Sequence, residues 1–280
     1  ISTAQRRITF ENVAQRPVPS LLRGFSAPVN LDTSLSDDDL LTLLAHDSDM
    51  FNRWQSAQTV ATRWMLRAVD AIRNGKPVED STRISQALAR VLDLYENDPA
   101  FTAQAIILPS ESDLAREIGE NVDPDAVHQA RKALRAAIGS ALAAPLHKVW
   151  HALASHAPYS PDAASAGRRA LRNAALDLLA AGNPEQGSQW ASEQFRAANN
   201  MTDRMGALNV LSLIPGDARE AALDSFFRAH AGDPLVIDKW LALQAMIPEE
   251  ATLARVKRLM NHHAFSLTNP NRLRSLIGAF

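Results

Sequence analysis

The chain of 280 residues contains no cysteine, which excludes disulfides and thiolate metal sites and fits a reducing compartment without requiring one. The cytoplasm is therefore the expected location. No apolar run approaches the roughly 20 residues needed to span a bilayer, and no basic-then-apolar leader precedes the first helical signals. A strong charge of either sign is also missing: the formal net charge of -2 provides no global attraction to nucleic acid or to an anionic membrane. Neither partner is expected. No identical repeat is visible by eye. The chain starts at Ile1 without a Met and stops on Phe280, a pattern that suggests a piece of a longer protein, cut within an apolar stripe at its C-terminal end.

What is present is a large apolar share, 46% against 21% charged residues, enough to bury a sizeable core. Residues 1–32 differ from the rest. Ile8, Phe10 and, less regularly, Val13 suggest a short strand, while Pro17, Pro19, Gly24 and Pro28 exclude a continuous helix, so the segment is read as a short extended or β stretch. From Ser36 onward helical signals recur. Ser36 with Asp37-Asp38-Asp39 caps a helix through Leu44, and Phe51 to Ile72 keeps helical spacing until Gly75 and Pro77. Ile84 to Tyr95 continues the period, Asp98-Pro99 starts another helix, and Ser110-Glu111-Ser112-Asp113 reads as a capping box. Asp123-Pro124 opens a long segment that Pro145 must break or kink, because an interior proline removes a backbone bond and clashes with the preceding turn. After a Pro- and Ser-containing join at 158–161, six helices are predicted over 166–179, 185–197, 202–213, 217–230, 234–246 and 251–260. Their joins are short, which favours antiparallel neighbours. About a dozen helices with no later strand pattern predict an all-α chain, specifically an αα-superhelix of armadillo or HEAT type occupying residues 33–280.

The last predicted helix carries the densest set of candidate residues. Asn269 can cap it and Pro270 suits its first position. Leu273, Leu276, Ile277 and Phe280 then make one apolar stripe. At about 100° per residue Arg272 and Arg274 fall on opposite flanks of that stripe, so they cannot serve one cavity. Arg168, Arg169 and Arg172 offer further planar donors, suited to carboxylates or backbone carbonyls, or as solvated and ion-paired faces. His147-Lys148-Val149-Trp150-His151 places two imidazoles one turn apart. Lys148, however, stands where a zinc-protease motif has its general-base Glu, so two polar helix residues are preferred to a metal pair. His262-His263 are adjacent and do not face one another on a helix. In Asn199-Asn200-Met201-Thr202-Asp203 an Asn or Thr202 can cap the next helix. The tryptophans, as at Trp54 and Trp64, keep core spacing.

Asn269-Pro270-Asn271-Arg272-Leu273-Arg274-Ser275-Leu276-Ile277-Gly278-Ala279-Phe280 resembles a block in the C-terminal domain of bacterial aminopeptidase N, in the M1 family of zinc aminopeptidases. Further blocks keep the family's order along nearly the whole chain: Pro17 to Val29, Phe51-Asn52-Arg53-Trp54, Leu171-Arg172-Asn173-Ala174, Ala198 to Asp203 and Asp238-Lys239-Trp240. The resemblance implies that residues 1–32 end a small β-sandwich domain and pass into the helical domain. It implies zinc-dependent removal of N-terminal residues from peptides by the intact enzyme, with this part walling the chamber next to a catalytic domain of the same chain. Arg274, and with it Asn271, would line that cavity by matching the family's block; Arg272 is a secondary candidate, better suited to a structural ion pair. The family's third zinc ligand would fall at Ala170, and its Gly-x-Met-Glu-Asn motif is absent, so no metal ligand and no cofactor are expected within these residues. By pattern alone, a freestanding helical scaffold binding a peptide or protein remains the alternative.

Overall fold

The computed structural model describes residues 7–29 and 31–280; residues 1–6 and Asn30, within the segment expected to be extended, lie outside them. Of the extended and β alternatives for the first segment, the extended one is observed: no strand forms around Ile8, Phe10 and Val13. Those side chains are exposed, and alternation of apolar residues produces a strand only where a second strand accepts its hydrogen bonds. The following residues lie along the first helices as extended chain interrupted by a 3-10 turn, Arg23–Phe25. Arg16 pairs with Asp39, Arg23 with Asp47, and Asn52 donates to Ser20 Oγ and Leu21 O.

Helices α1 (Asp37–His46), α2 (Met50–Arg73), α3 (Thr82–Leu92), α4 (Pro99–Ile106), α5 (Glu111–Ile118), α6 (Pro124–Ala141) and α7 (Ala143–Ala152) make the first half. Helices α8 (Ala163–Gly182), α9 (Pro184–Ala197), α10 (Met201–Ser212), α11 (Asp217–His230), α12 (Pro234–Ala245), α13 (Thr252–Leu259) and α14 (Pro270–Leu276) make the second. Their starts follow local chemistry. Ser36 and Ser110 both close capping boxes, accepting from Asp39 N–H and Asp113 N–H at 3.1 Å each. Asp98, Asp123, Asn183, Asp233 and Asn269 cap helices whose first residue is proline, the position where a missing N–H costs nothing. Pro145 does end the long segment, but the break falls at Leu142 (φ -107°, ψ 20°), so that the proline sits in the first turn of α7. There its ring has no preceding helical carbonyl to strike.

In the second half α8 packs on α10, α10 on α12, α12 on α14, and α9 on α11, while consecutive helices from α8 to α13 also touch. Contacts to the next and next-but-one helix are the signature of a two-layer solenoid, and one apolar core runs from Leu40 to Leu276. The expected αα-superhelix is the observed architecture. Helix α8 is its hub, touching α4, α6, α7, α9 and α10. Such crowding requires small residues: a Cβ on Gly167 would lie 2.9 Å from Ala100 Cβ of α4, and one on Gly187 2.6 Å from Ala180 Cβ.

Candidate functional site

Helix α14 starts where Asn269 Oδ1 accepts from the backbone N–H of Asn271 (3.0 Å) and Arg272 (3.3 Å). It is shorter than its apolar pattern. The helix ends at Leu276, Ile277 N–H and Gly278 N–H both turning onto Leu273 O. Of the four stripe residues only Leu276 is fully buried; Leu273, Ile277 and Phe280 stay substantially exposed. A helical pattern therefore identifies the contact face correctly and overstates how much of it these residues cover.

The two arginines separate as the helical arithmetic requires. Arg272 Nη1 donates to Asp238 Oδ1 at 2.6 Å and to Pro234 O at 2.9 Å, tying α14 to the first turn of α12. Both charged side chains are largely shielded, at 11% and 17% exposure, so this pair is worth more than a solvated one. Arg272→Met keeps the apolar stem and removes the fork. It should cost about 2 kcal/mol of local stability, read as faster amide exchange confined to α14. Arg274 and Asn271 are exposed, and among the described residues Arg274 forms no ion pair. The structure leaves its guanidinium available on the flank opposite Asp238.

The turn before α14 is held by His262. Its Nδ1 accepts the Ala264 N–H at 3.2 Å, and its ring meets Phe227 edge-on at 4.7 Å and Trp240 at 5.3 Å. Burial, with His263 beside it, pushes the His262 imidazole below its ordinary range, which favours the neutral ring that the Ala264 bond needs.

The remaining candidates are structural in their contacts. Of the alternatives for Arg172, the backbone carbonyl is the one observed: the side chain is buried, its guanidinium lies 5.5 Å from the Trp150 ring centroid, its Nε donates to Trp150 O at 3.4 Å, and among the described residues it forms no ion pair. Burial lowers its pKa, opposed by the charges of Asp203 and Glu193. Arg169 stacks on Tyr159 at 4.8 Å, and Arg168 is exposed. Asn200, not Thr202, caps α10, accepting from Asp203 N–H at 2.9 Å. The buried Gln194, unremarked in the sequence, joins Trp150, Asn173 and the Asp203 carbonyl. Only the presence of a polar residue on the inner face of α9 could have signalled it.

The His147 and His151 pair does not assemble a zinc site. His147 and His151 rings lie 6.4 Å apart and His147 packs on Trp190 at 5.1 Å. Among the described residues no three His, Cys, Asp or Glu side chains converge as metal ligands. Nor is any described helix long and apolar enough to cross a membrane.

Stacked helical pairs and close glycine-mediated crossings define a helical-repeat domain of the armadillo class. The chain belongs to the family described as a domain of unknown function, DUF3458_C, with ARM repeats, whose model matches residues 37–280. A companion model, DUF3458 with an Ig-like fold, matches residues 1–34. Over 281 aligned residues the chain is 41% identical to aminopeptidase N of Caulobacter vibrioides, and over 280 it is 35% identical to aminopeptidase N of Escherichia coli. Each alignment covers 100% of this chain and 32% of the relative, so the chain spans about a third of the length of the curated relatives it matches. A solved structure of Legionella pneumophila aminopeptidase A in complex with aspartic acid aligns with a TM-score of 0.80 at 28% identity, over 97% of this chain and 32% of that one.

Proposed function

We propose that this chain is the non-catalytic helical part of a zinc-dependent aminopeptidase, and that it walls the active-site chamber and limits which peptides enter. The observation that carries the reading is the match of the whole chain to about a third of aminopeptidase N in two bacteria. The fold agreement with a solved aminopeptidase supports it. In this reading residues 1–32 close a β-sandwich domain and residues 33–280 form the helical domain. The zinc, its ligands and the general base belong to a catalytic domain of the same polypeptide, which is this part's partner together with the peptide substrate. The cytoplasm is the proposed compartment.

Arg274 and Asn271 are the residues assigned to the chamber lining. A guanidinium exposed on one flank of α14, with Arg272 on the other flank committed to Asp238, can donate to substrate carbonyls or a carboxylate without disturbing the fold. Its contribution is polar contact and a positive local field, exerted on bound peptide and not on the bond being broken. Arg274→Ala in the intact enzyme should raise KM about fivefold, the loss of one hydrogen bond to a charged donor, with kcat nearly unchanged. Unchanged KM and kcat across several peptides of different length would remove Arg274 from the chamber. Arg274→Lys should restore part of the effect, because the charge is kept and the fork lost.

A further inference from the structure

Beyond the face that carries Arg274, the helices enclose a second site. A cavity of ≈300 Å³ opens where α6, α8 and the end of α10 converge. Val210, Leu213 and Ile214 give it an apolar side. Its walls are of a kind that cannot collapse inward: Ala136, Ala180 and Ala181 have no side-chain torsion to turn into the space, and Pro184, Pro215 and Pro248 are rigid rings. Such a cavity is formed before a ligand arrives, which is the condition that keeps the ordering cost of binding small.

One side of the rim is basic. His128, Lys132 and Arg135 line it from α6 at spacings of four and three residues, one helical face. His128 Nδ1 meets Glu111 Oε1 at 2.9 Å. Arg135 uses Nε and Nη2 on the single acidic residue of the lining, Asp177, at 3.3 and 2.5 Å. Lys132 is exposed and, among the described residues, has no carboxylate partner. The lining therefore carries one positive charge in excess beside an apolar side. A dianion such as phosphate would require several more donors than Lys132 and the unused Nη1 of Arg135 supply. A monoanion on an apolar body needs only these.

We propose that this cavity is a binding site for a small apolar monocarboxylate, its hydrocarbon on Val210, Leu213 and Ile214 and its carboxylate at Lys132. The test is a methyl-NMR titration of the 280-residue chain at neutral pH with octanoate, and with octan-1-ol as the uncharged analogue. Octanoate should shift the Ile214 and Val210 methyl signals saturably, and octanol should bind about tenfold more weakly, the effect of one charged contact. Lys132→Gln, at an exposed position that leaves the fold alone, should bring octanoate down to the octanol level. Ala181→Leu, which fills the space, should abolish both. Three results would each overturn the proposal: no saturable shift at these methyls, equal affinity for acid and alcohol, or undiminished octanoate binding by Lys132→Gln. None of these results bears on Arg274, so the aminopeptidase reading and this one fail separately.

Discussion

Gly182→Ala and Gly139→Ala are each expected to destabilise the chain by about 3 kcal/mol or more, a fall in Tm of roughly 8 °C for a domain of this size. The two glycines face each other where α6 crosses α8. A Cβ on Gly182 would lie 2.5 Å from the Ser140 nitrogen and 2.9 Å from Gly139 O; one on Gly139 would lie 2.8 Å from the Gly182 nitrogen. Every one of these neighbours is backbone. A flexible side chain could swing aside, but here the helices must separate, and the Ser140 Oγ bond to Gly182 O at 3.1 Å stretches with them. Alanine's better helix propensity returns less than about 1 kcal/mol. Gly232→Ala is the control: nothing lies within 4 Å of a Cβ there, and its Tm should hardly move. Thermal midpoints of the three variants decide the matter. A Gly182→Ala protein as stable as its parent would mean that the α6–α8 crossing is looser than it stands here.

That crossing also marks the boundary of what can be read from residues in a row. Helix starts were legible because a cap is a local device: Ser36, Ser110 and Asn269 each bond a backbone N–H within three residues, so the signal and the interaction occupy the same short stretch. The separation of Arg272 from Arg274 was legible for the same reason, being helical geometry alone. Arg172 was not, because its partner Trp150 stands 22 positions away on another helix, and an arginine spacing says nothing about an indole. Glycine in a helix lowers its propensity, yet only the tertiary crossing shows why Gly139 and Gly182 are needed. Ile8, Phe10 and Val13 were legible as an extended stretch but not as a paired or unpaired strand. Their alternation describes a ribbon with two faces, and it cannot tell whether a second strand is there to complete it. The cavity beside Lys132 was invisible too, since its three walls lie on helices separated by tens of residues.

Gln194→Met should cost about 3 kcal/mol, although it preserves side-chain length and apolar volume. Gln194 is completely buried and satisfies three helices at once. Its Oε1 accepts from Trp150 Nε1 of α7 at 2.8 Å; its Nε2 donates to Asn173 Oδ1 of α8 at 2.6 Å and to the Asp203 carbonyl of α10 at 3.1 Å. Methionine fills the same space and offers none of these bonds, so the buried indole N–H of Trp150 is left without a partner, while the Asn173 amide oxygen and the Asp203 carbonyl each lose a donor. Leaving a group unsatisfied is costlier than the bond's net contribution, which gives a specific expectation for the double variant. Trp150→Phe removes the orphaned donor, so Trp150→Phe with Gln194→Met should be less destabilised than the sum of the singles by about 1 kcal/mol. Denaturation midpoints of the two singles and the double supply the cycle. Additive losses would show that the Gln194–Trp150 bond carries no coupling and is not what joins α7 to α9. A positive coupling would place the polar knot at the hub of the array, where Arg172 closes it from the other side through its Nε bond to Trp150 O.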